Sequence, residues 1–397
     1  MTQGLGDTIA RLRRARQAGG SPTPRRSARR PRFVETAGFG ANPGALRMTS
    51  FRPANFRKGA ALVVTLHGCT QSAEAYAADA GWIAMAERCG FALLAPEQTP
   101  ANNFNRCFNW FLPENTARGG GEAASIAAMV GYMLQAGEID PDRVFITGLS
   151  AGGAMTAVML AAYPELFAGG AIIAGLPYGL ADHVGDGMRL MRQADGRGAR
   201  ELGALVRRAA PKAEKRPRLS IWHGDADHVV NAINADQLAS QWAAAYGLPH
   251  APSERETLAG QDRAIWRAPE NGEVLIETRR IHGMGHGTPL ATRGDGAVGA
   301  AAPFMLDVGI SSTREIAAFW GLKEPPFAQQ AEAKADAAAS AKPAASAARR
   351  KRPAQPPHPA PQAGGLGAQV MGSVSRFVSA DVQAVIAKAL KSAGLLR

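Results

Sequence analysis

Short apolar runs alternate along the chain with longer stretches in which apolar residues recur every three or four positions. The runs at 46–51, 60–66, 91–95, 143–147, 170–174, 219–222 and 274–279 are wholly or largely apolar, or alternate apolar with polar residues, and read as strands. The stretches at 72–89, 122–135, 153–163, 236–246 and 313–320 read as helices. Ala60-Ala61-Leu62-Val63-Val64-Thr65-Leu66 is apolar on both faces, so it predicts a strand inside a sheet covered on either side. Pro96 is expected to stop the strand that begins at Phe91. The alternation predicts an α/β fold, a mostly parallel central sheet flanked by helices, with flexible extensions at both ends.

Two segments break the alternation. Residues 97–118 interleave Asn102, Asn103, Asn105 and Asn109 with Phe104, Phe108, Trp110 and Phe111. This loop is too polar for a core strand and too aromatic for an idle connection, so it is expected to line something. Residues 179–217 form a basic amphipathic insert with Leu190, Met191, Leu202, Leu205 and Val206 on two helices. Such an insert either covers a site or is a plain surface pair. The globular domain is therefore placed at 33–322. Before it, 1–32 reads as a flexible basic arm, with a short helix at 7–17 begun by Asp7. After it, 323–370 reads as an Ala/Pro/Lys-rich linker and 371–397 as a C-terminal amphipathic helix. Val382, Val385, Ile386, Ala389 and Leu390 make its apolar stripe. The stripe must dock on its own domain, on another chain, or on a hydrophobic particle surface.

The formal charge of +12 points to an acidic partner until it is located along the chain. The arm 1–32 holds nine arginines against Asp7, and 323–397 holds eleven Lys or Arg against four acids, leaving 33–322 at −3. Basicity belongs to the extensions, so no nucleic-acid partner is expected of the globular part. No stretch is long enough to span a membrane. The first thirty residues show no apolar segment of a secretory signal, which leaves a cytoplasmic location open. The three cysteines lack zinc-ligand spacing, and neither a metal nor a cofactor is expected. Cys89, in an apolar helical stretch, reads as a small core residue.

The chemistry centres on Gly148-Leu149-Ser150-Ala151-Gly152, set between a β-branched run and a helical stretch. A serine on a tight strand-to-helix turn projects its hydroxyl from the sheet, and the flanking glycines avoid collision with neighbouring backbone. A serine hydroxyl near neutral pH needs a base, and the base needs a carboxylate. Asp227 follows a strand in His-Gly-x-x-Asp, and His286 lies in a Gly-rich loop late in the domain. The order serine, acid, histidine is that of an α/β-hydrolase. Asp225 is the rival acid; His282 and His228 are the rival bases. Asp227 is favoured because its spacer places it beyond the strand end, and His286 because Gly285 and Gly287 leave it free to approach Ser150. His282 reads as a structural histidine. A zinc site at His282 and His286 would need a helix, which Gly283 and Gly285 preclude. Ala151 N–H should supply one oxyanion donor and Cys69 N–H, in the loop after 62–66, the other. Cys69 and Cys107 lie on two loops that should border the pocket; a disulfide between them would pin one to the other, with reduced thiols expected in the cytosol.

Leu66-His67-Gly68-Cys69-Thr70-Gln71, Pro96-Glu97-Gln98, Arg106-Cys107-Phe108-Asn109-Trp110-Phe111, Gly148-Leu149-Ser150-Ala151-Gly152, Trp222-His223-Gly224-Asp225-Ala226-Asp227 and Gly283-Met284-Gly285-His286 occur in that order. Together they resemble the polyhydroxybutyrate depolymerase family of esterases over roughly 33–322. The resemblance implies an α/β-hydrolase that cleaves short-chain polyhydroxyalkanoate or its oligomers through an acyl-enzyme. It implies Ser150, Asp227 and His286 as triad, Cys69 and Ala151 as oxyanion donors, Trp110 near the substrate, and an exported, extracellular enzyme. No signal peptide and no β-rich polymer-binding domain accompany the motifs. The same family is similar to feruloyl and acetylxylan esterases, so a carbohydrate esterase is the alternative. A non-catalytic protein that binds through its basic tails is the alternative from another class.

Overall fold

In the computed structural model, residues 33–294 and 296–324 are described; the expected helix at 7–17, most of the linker, and the C-terminal helix fall outside them. The strands are β1 (Val34–Thr36), β2 (Arg47–Phe51), β3 (Ala60–Leu66), β4 (Ala92–Glu97), β5 (Ile139–Leu149), β6 (Gly169–Ile173), β7 (Arg218–Gly224), β8 (Glu254–Leu258), β9 (Gln261–Arg267), β10 (Val274–Ile281), β11 (Thr288–Leu290) and β12 (Met305–Asp307). The helices are α1 (Ala73–Asp79), α2 (Trp82–Cys89), α3 (Pro113–Thr116), α4 (Gly121–Gln135), α5 (Ala151–Ala162), α6 (Val184–Leu190), α7 (Ala199–Ala209), α8 (Ile233–Tyr246) and α9 (Ser312–Phe319). A 3₁₀ turn follows α5 at Pro164–Leu166.

The first ten strands form one sheet in the order β1-β2-β4-β3-β5-β6-β7-β10-β9-β8. Its six inner strands, β4 to β10, are parallel, and two antiparallel strands extend each edge. Side chains of β3 alternate between two cores, as a sheet covered on both faces requires. Leu62, Val64 and Leu66 belong to one core with residues of α4, α5 and α8, whereas Ala61 and Val63 belong to the other with residues of α1, α2 and α9. On the second face Trp320 stacks between Trp82 (5.6 Å) and Phe145 (4.9 Å). Every residue of α5 is buried. The fold is the expected mixed, mostly parallel sheet flanked by helices.

Several elements differ from the sequence pattern for identifiable reasons. The stretch 72–89 is two helices, because Gly81 takes φ +91° and the segment Val298–Gly299 crosses there. Pro96 lies within β4 rather than ending it. It sits opposite Met48 of β2, beyond the residues that pair with β3, so its missing N–H costs no ladder bond to β3. The β8–β9 hairpin was unforeseen: all of β8 is exposed and reads Glu-Arg-Glu-Thr-Leu, with no apolar alternation. β5 starts at Ile139, upstream of the expected 143, across an Asp-Pro-Asp sequence that resembles a turn. Cys89 is partly buried against the second core, and burial pushes its thiol pKa up to about 11.

The helix break yields a stability prediction. A Cβ at Gly81 would stand 2.8 Å from Gly299 N and 2.9 Å from Val298 C, both backbone atoms. Gly81→Ala is expected to cost about 1–3 kcal/mol or more and to lower the calorimetric Tm by several degrees. An unchanged Tm would mean that this crossing is not tightly packed.

Candidate active site

Ser150 is the single residue between β5 and α5, with φ 58° and ψ −117°. That left-handed φ is uncommon for a side chain with a Cβ and is held in place by the surroundings. Ser150 N–H donates to Ile173 O (2.9 Å), and Ser150 O accepts from Ala154 N–H (2.8 Å). A Cβ at 148 would lie 2.3 Å from Gly152 O, and one at 152 would lie 2.2 Å from Leu66 O. The turn therefore needs glycine at both positions. Among the described residues the Ser150 hydroxyl has no hydrogen-bond partner, and it lies at the helix N-terminus, where the backbone dipoles favour negative charge.

Asp227 lies three residues beyond β7. Its Oδ1 accepts the N–H groups of Val229 (2.8 Å) and Val230 (2.9 Å), and its Oδ2 is 2.7 Å from His286 Nδ1. His223 Nε2 approaches the same Oδ2 at 3.4 Å and Val230 O at 2.9 Å. Burial alone would raise the Asp227 pKa, but the hydrogen bonds from His223 and His286, with the electrostatic pull of both rings, outweigh it and hold the carboxyl far below the usual carboxylate range. An ionised carboxylate on Nδ1 keeps the His286 proton there and leaves Nε2 bare as a base. The His286 ring also meets Phe304 edge-on at 6.1 Å, and Phe304 itself holds φ 66°.

The rival residues are engaged elsewhere. Asp225 is exposed and accepts Gly283 N–H (2.7 Å), which ties the loop after β7 to the loop after β10. His282 is exposed and pairs with Asp262 at 3.1 Å. His228 is exposed, with no hydrogen-bond or ion-pair partner among the described residues. β5, β7 and β10 are parallel inner strands, so their C-terminal ends, and the loops bearing Ser150, Asp227 and His286, lie at the same end of the sheet.

Cys69 and Cys107 are joined in a disulfide, Cα–Cα 4.3 Å. Thr70 N–H donates to Asn105 O (2.6 Å), so the loop after β3 and the aromatic loop are held together twice. The amides of Cys69 and Ala151 donate to no protein acceptor among the described residues. Trp110 is half-buried, edge-on to Phe111 at 5.5 Å. Both rings pack against the apolar cluster of Leu180, Leu190 and Leu202 in the 179–217 insert. The aromatic loop thus joins the insert to the disulfide.

Sequence reasoning gave no role to His223 or Phe304. His223 was visible four residues before Asp227 in the same motif; Phe304 carries no signal beyond being aromatic. A cleft of about 550 Å³ opens instead beside β8, β9 and β10, lined by His223, Asp236, Arg255, Asp262 and Arg280 among others. It includes neither Ser150 nor His286, and Arg280 and Asp262 are already paired with Asp236 and His282. Among the described residues no group of three or more His, Cys, Asp or Glu side chains could hold a metal ion.

Comparison with known proteins gives the family. The family model for esterase PHB depolymerase matches residues 50–264. Poly(3-hydroxyalkanoate) depolymerase C of Paucimonas lemoignei is 40% identical over 297 residues, covering 73% of this chain and 70% of that protein. An acetylxylan esterase of Coprinopsis cinerea is 31% identical over 284 residues, covering 68% of this chain and 73% of that protein. The solved acetyl xylan esterase of Aspergillus awamori superposes with a TM-score of 0.62 at 24% identity, over 74% of this chain and all of that one, and shares the fold. The chain belongs to the polyhydroxybutyrate depolymerase family of carboxylic ester hydrolases.

Proposed function

We propose that the chain is a serine esterase in which Ser150 is the nucleophile, His286 the general base and Asp227 the carboxylate that orients it. The observation that carries this reading is the 2.7 Å contact of the buried Asp227 Oδ2 with His286 Nδ1, on loops that leave the sheet at the same strand ends as Ser150. Ser150 Oγ attacks the ester carbonyl as His286 Nε2 takes its proton. The carbonyl oxygen, now an oxyanion, accepts the N–H groups of Cys69 and Ala151, whose donors are fixed before the charge develops. Collapse of the tetrahedral adduct expels the alcohol, which receives the proton from His286. Water then repeats the sequence on the acyl-enzyme and releases the acid. Trp110 borders the acyl or alcohol side of this pocket.

Short-chain polyhydroxyalkanoate, or its 3-hydroxybutyrate oligomers, is the favoured substrate. The 40% identity to a named polyhydroxyalkanoate depolymerase supports it over the carbohydrate esters named for relatives at 31%. From sequence alone, 323–370 serves as a linker and the stripe of 371–397 as a tether to a hydrophobic polyester surface.

Ser150→Ala and His286→Ala are each expected to lower kcat by about a million-fold, and Asp227→Asn by about ten-thousand-fold, on folded protein. Asp225→Asn should cost about tenfold or less, since it removes one exposed acceptor. A larger loss from Asp225→Asn than from Asp227→Asn would reassign the acid.

A panel of 3-hydroxybutyrate oligomers, particulate polymer, aryl esters and acetylated xylan tests the substrate. The oligomers should give the highest kcat/KM; acetylated xylan in that place would favour the carbohydrate reading. A chain ending at Glu324 should keep its turnover of soluble esters and lose activity on particles; undiminished activity on particles would exclude the tether.

A further inference from the structure

Behind Cys69 lies a carboxylate that ester hydrolysis does not use. Glu122, in the first turn of α4, is 1% exposed, and its two oxygens take three donors. Gln98 Nε2 (2.5 Å) and Asn109 Nδ2 (2.7 Å) bond to Oε1, and Asn109 N–H (2.8 Å) bonds to Oε2. Among the described residues no Lys, Arg or His forms an ion pair with it. Burial pushes its pKa up to about 7, against the pull of these donors. A buried carboxylate without a cation is a costly way to fill a core, so its use should be sought in what it holds.

It holds both flanks of Cys69. On one side Gln98, itself fully buried, also donates from Nε2 to Cys107 O (3.1 Å), and its Oε1 accepts Thr99 N–H (3.0 Å) and Asn102 Nδ2 (2.9 Å). With its side chain fixed, Gln98 offers its backbone N–H to His67 Nε2 at 3.1 Å. A ring nitrogen that accepts an amide N–H is bare, so the His67 proton sits on Nδ1 and is donated to Gly68 O (2.8 Å). Burial lowers the His67 pKa and keeps the ring neutral. The Gly68–Cys69 peptide is trans, so its C=O and N–H point opposite ways. Holding Gly68 O toward the buried ring turns Cys69 N–H away from it. On the other side Glu122 holds Asn109, two residues beyond the Cys107 that is bonded to Cys69.

We propose that Glu122 is a positioning residue for the Cys69 amide: through Gln98 and His67, and through Asn109 and Cys107, it sets the direction in which that N–H meets the developing oxyanion. The proposal rests on the reading of Cys69 N–H as an oxyanion donor.

The test is Glu122→Gln in the full chain, which places an amide donor among three donors at unchanged size. kcat and KM are read on a soluble aryl ester, with the affinity of a trifluoromethyl ketone, whose hemiketal adduct carries the oxyanion. kcat should fall about 10- to 100-fold with KM within about threefold, and ketone affinity should weaken in parallel. A folded Glu122→Gln with kcat within twofold of wild type, or a change confined to KM, overturns the proposal. Should Glu122→Gln not fold, His67→Asn and His67→Phe decide. Asn can present Nδ2 near the position of His Nδ1, so it should retain at least about tenfold more kcat than Phe; equal losses overturn the proposal. Ser150→Ala separates the two levels. If it stays active, the site reading falls and the proposal with it. If it is inactive while Glu122→Gln is unimpaired, the positioning role alone falls.

Discussion

Backbone meets backbone where the elbow crosses β3. The carbonyl of Leu66 stands so close to Gly152 that even a methyl group there would overlap it, and Gly148 is pressed in the same way against Gly152 O. This contact does two things at once. It forces the chain at Ser150 into a left-handed turn that aims the side chain out of the sheet, and it brings the residues after β3, with Cys69 among them, beside the first turn of α5. The two candidate oxyanion amides therefore come from elements locked together by packing. Preorganised donors of this kind stabilise developing charge without reorganising when the reaction occurs.

The rest of the site is secured from both sides of that contact. On the β7–β10 side, Asp227 is fixed by two backbone amides and two histidines, while Gly224 packs against Met284 O and Asp225 ties down Gly283. The loops carrying Asp227 and His286 cannot move independently. On the β3–β4 side, the disulfide, the Thr70–Asn105 bond and the bonds to Glu122 hold the aromatic loop against the loop after β3. Trp110 and Phe111 carry that rigidity on to the insert, where Leu190 and Leu202 receive them.

Much of this was legible in the residues. The apolar strand runs and the glycines around Ser150 foretold a buried parallel sheet with a strained turn, since both patterns have a direct steric cause. The spacing that favoured Asp227 over Asp225 matches the pairing with His286. What the pattern missed lacked local signal. β8 is entirely exposed and charged, so no hydrophobic period marks it. The split at Gly81 depends on a segment more than two hundred residues away. Glu122 looks like an ordinary acidic residue at a helix start; only the fold shows that it is buried among donors from two other segments.

The proposed mechanism passes through a covalent intermediate at Ser150, and trapping that intermediate tests it most directly. Full-length protein is mixed with a slowly deacylating aryl ester, quenched in acid and mapped by peptide mass spectrometry. A nucleophile at Ser150 predicts one acyl group per chain on the peptide that carries it, and none in Ser150→Ala. Turnover without an adduct, or an adduct on any other residue, would contradict it.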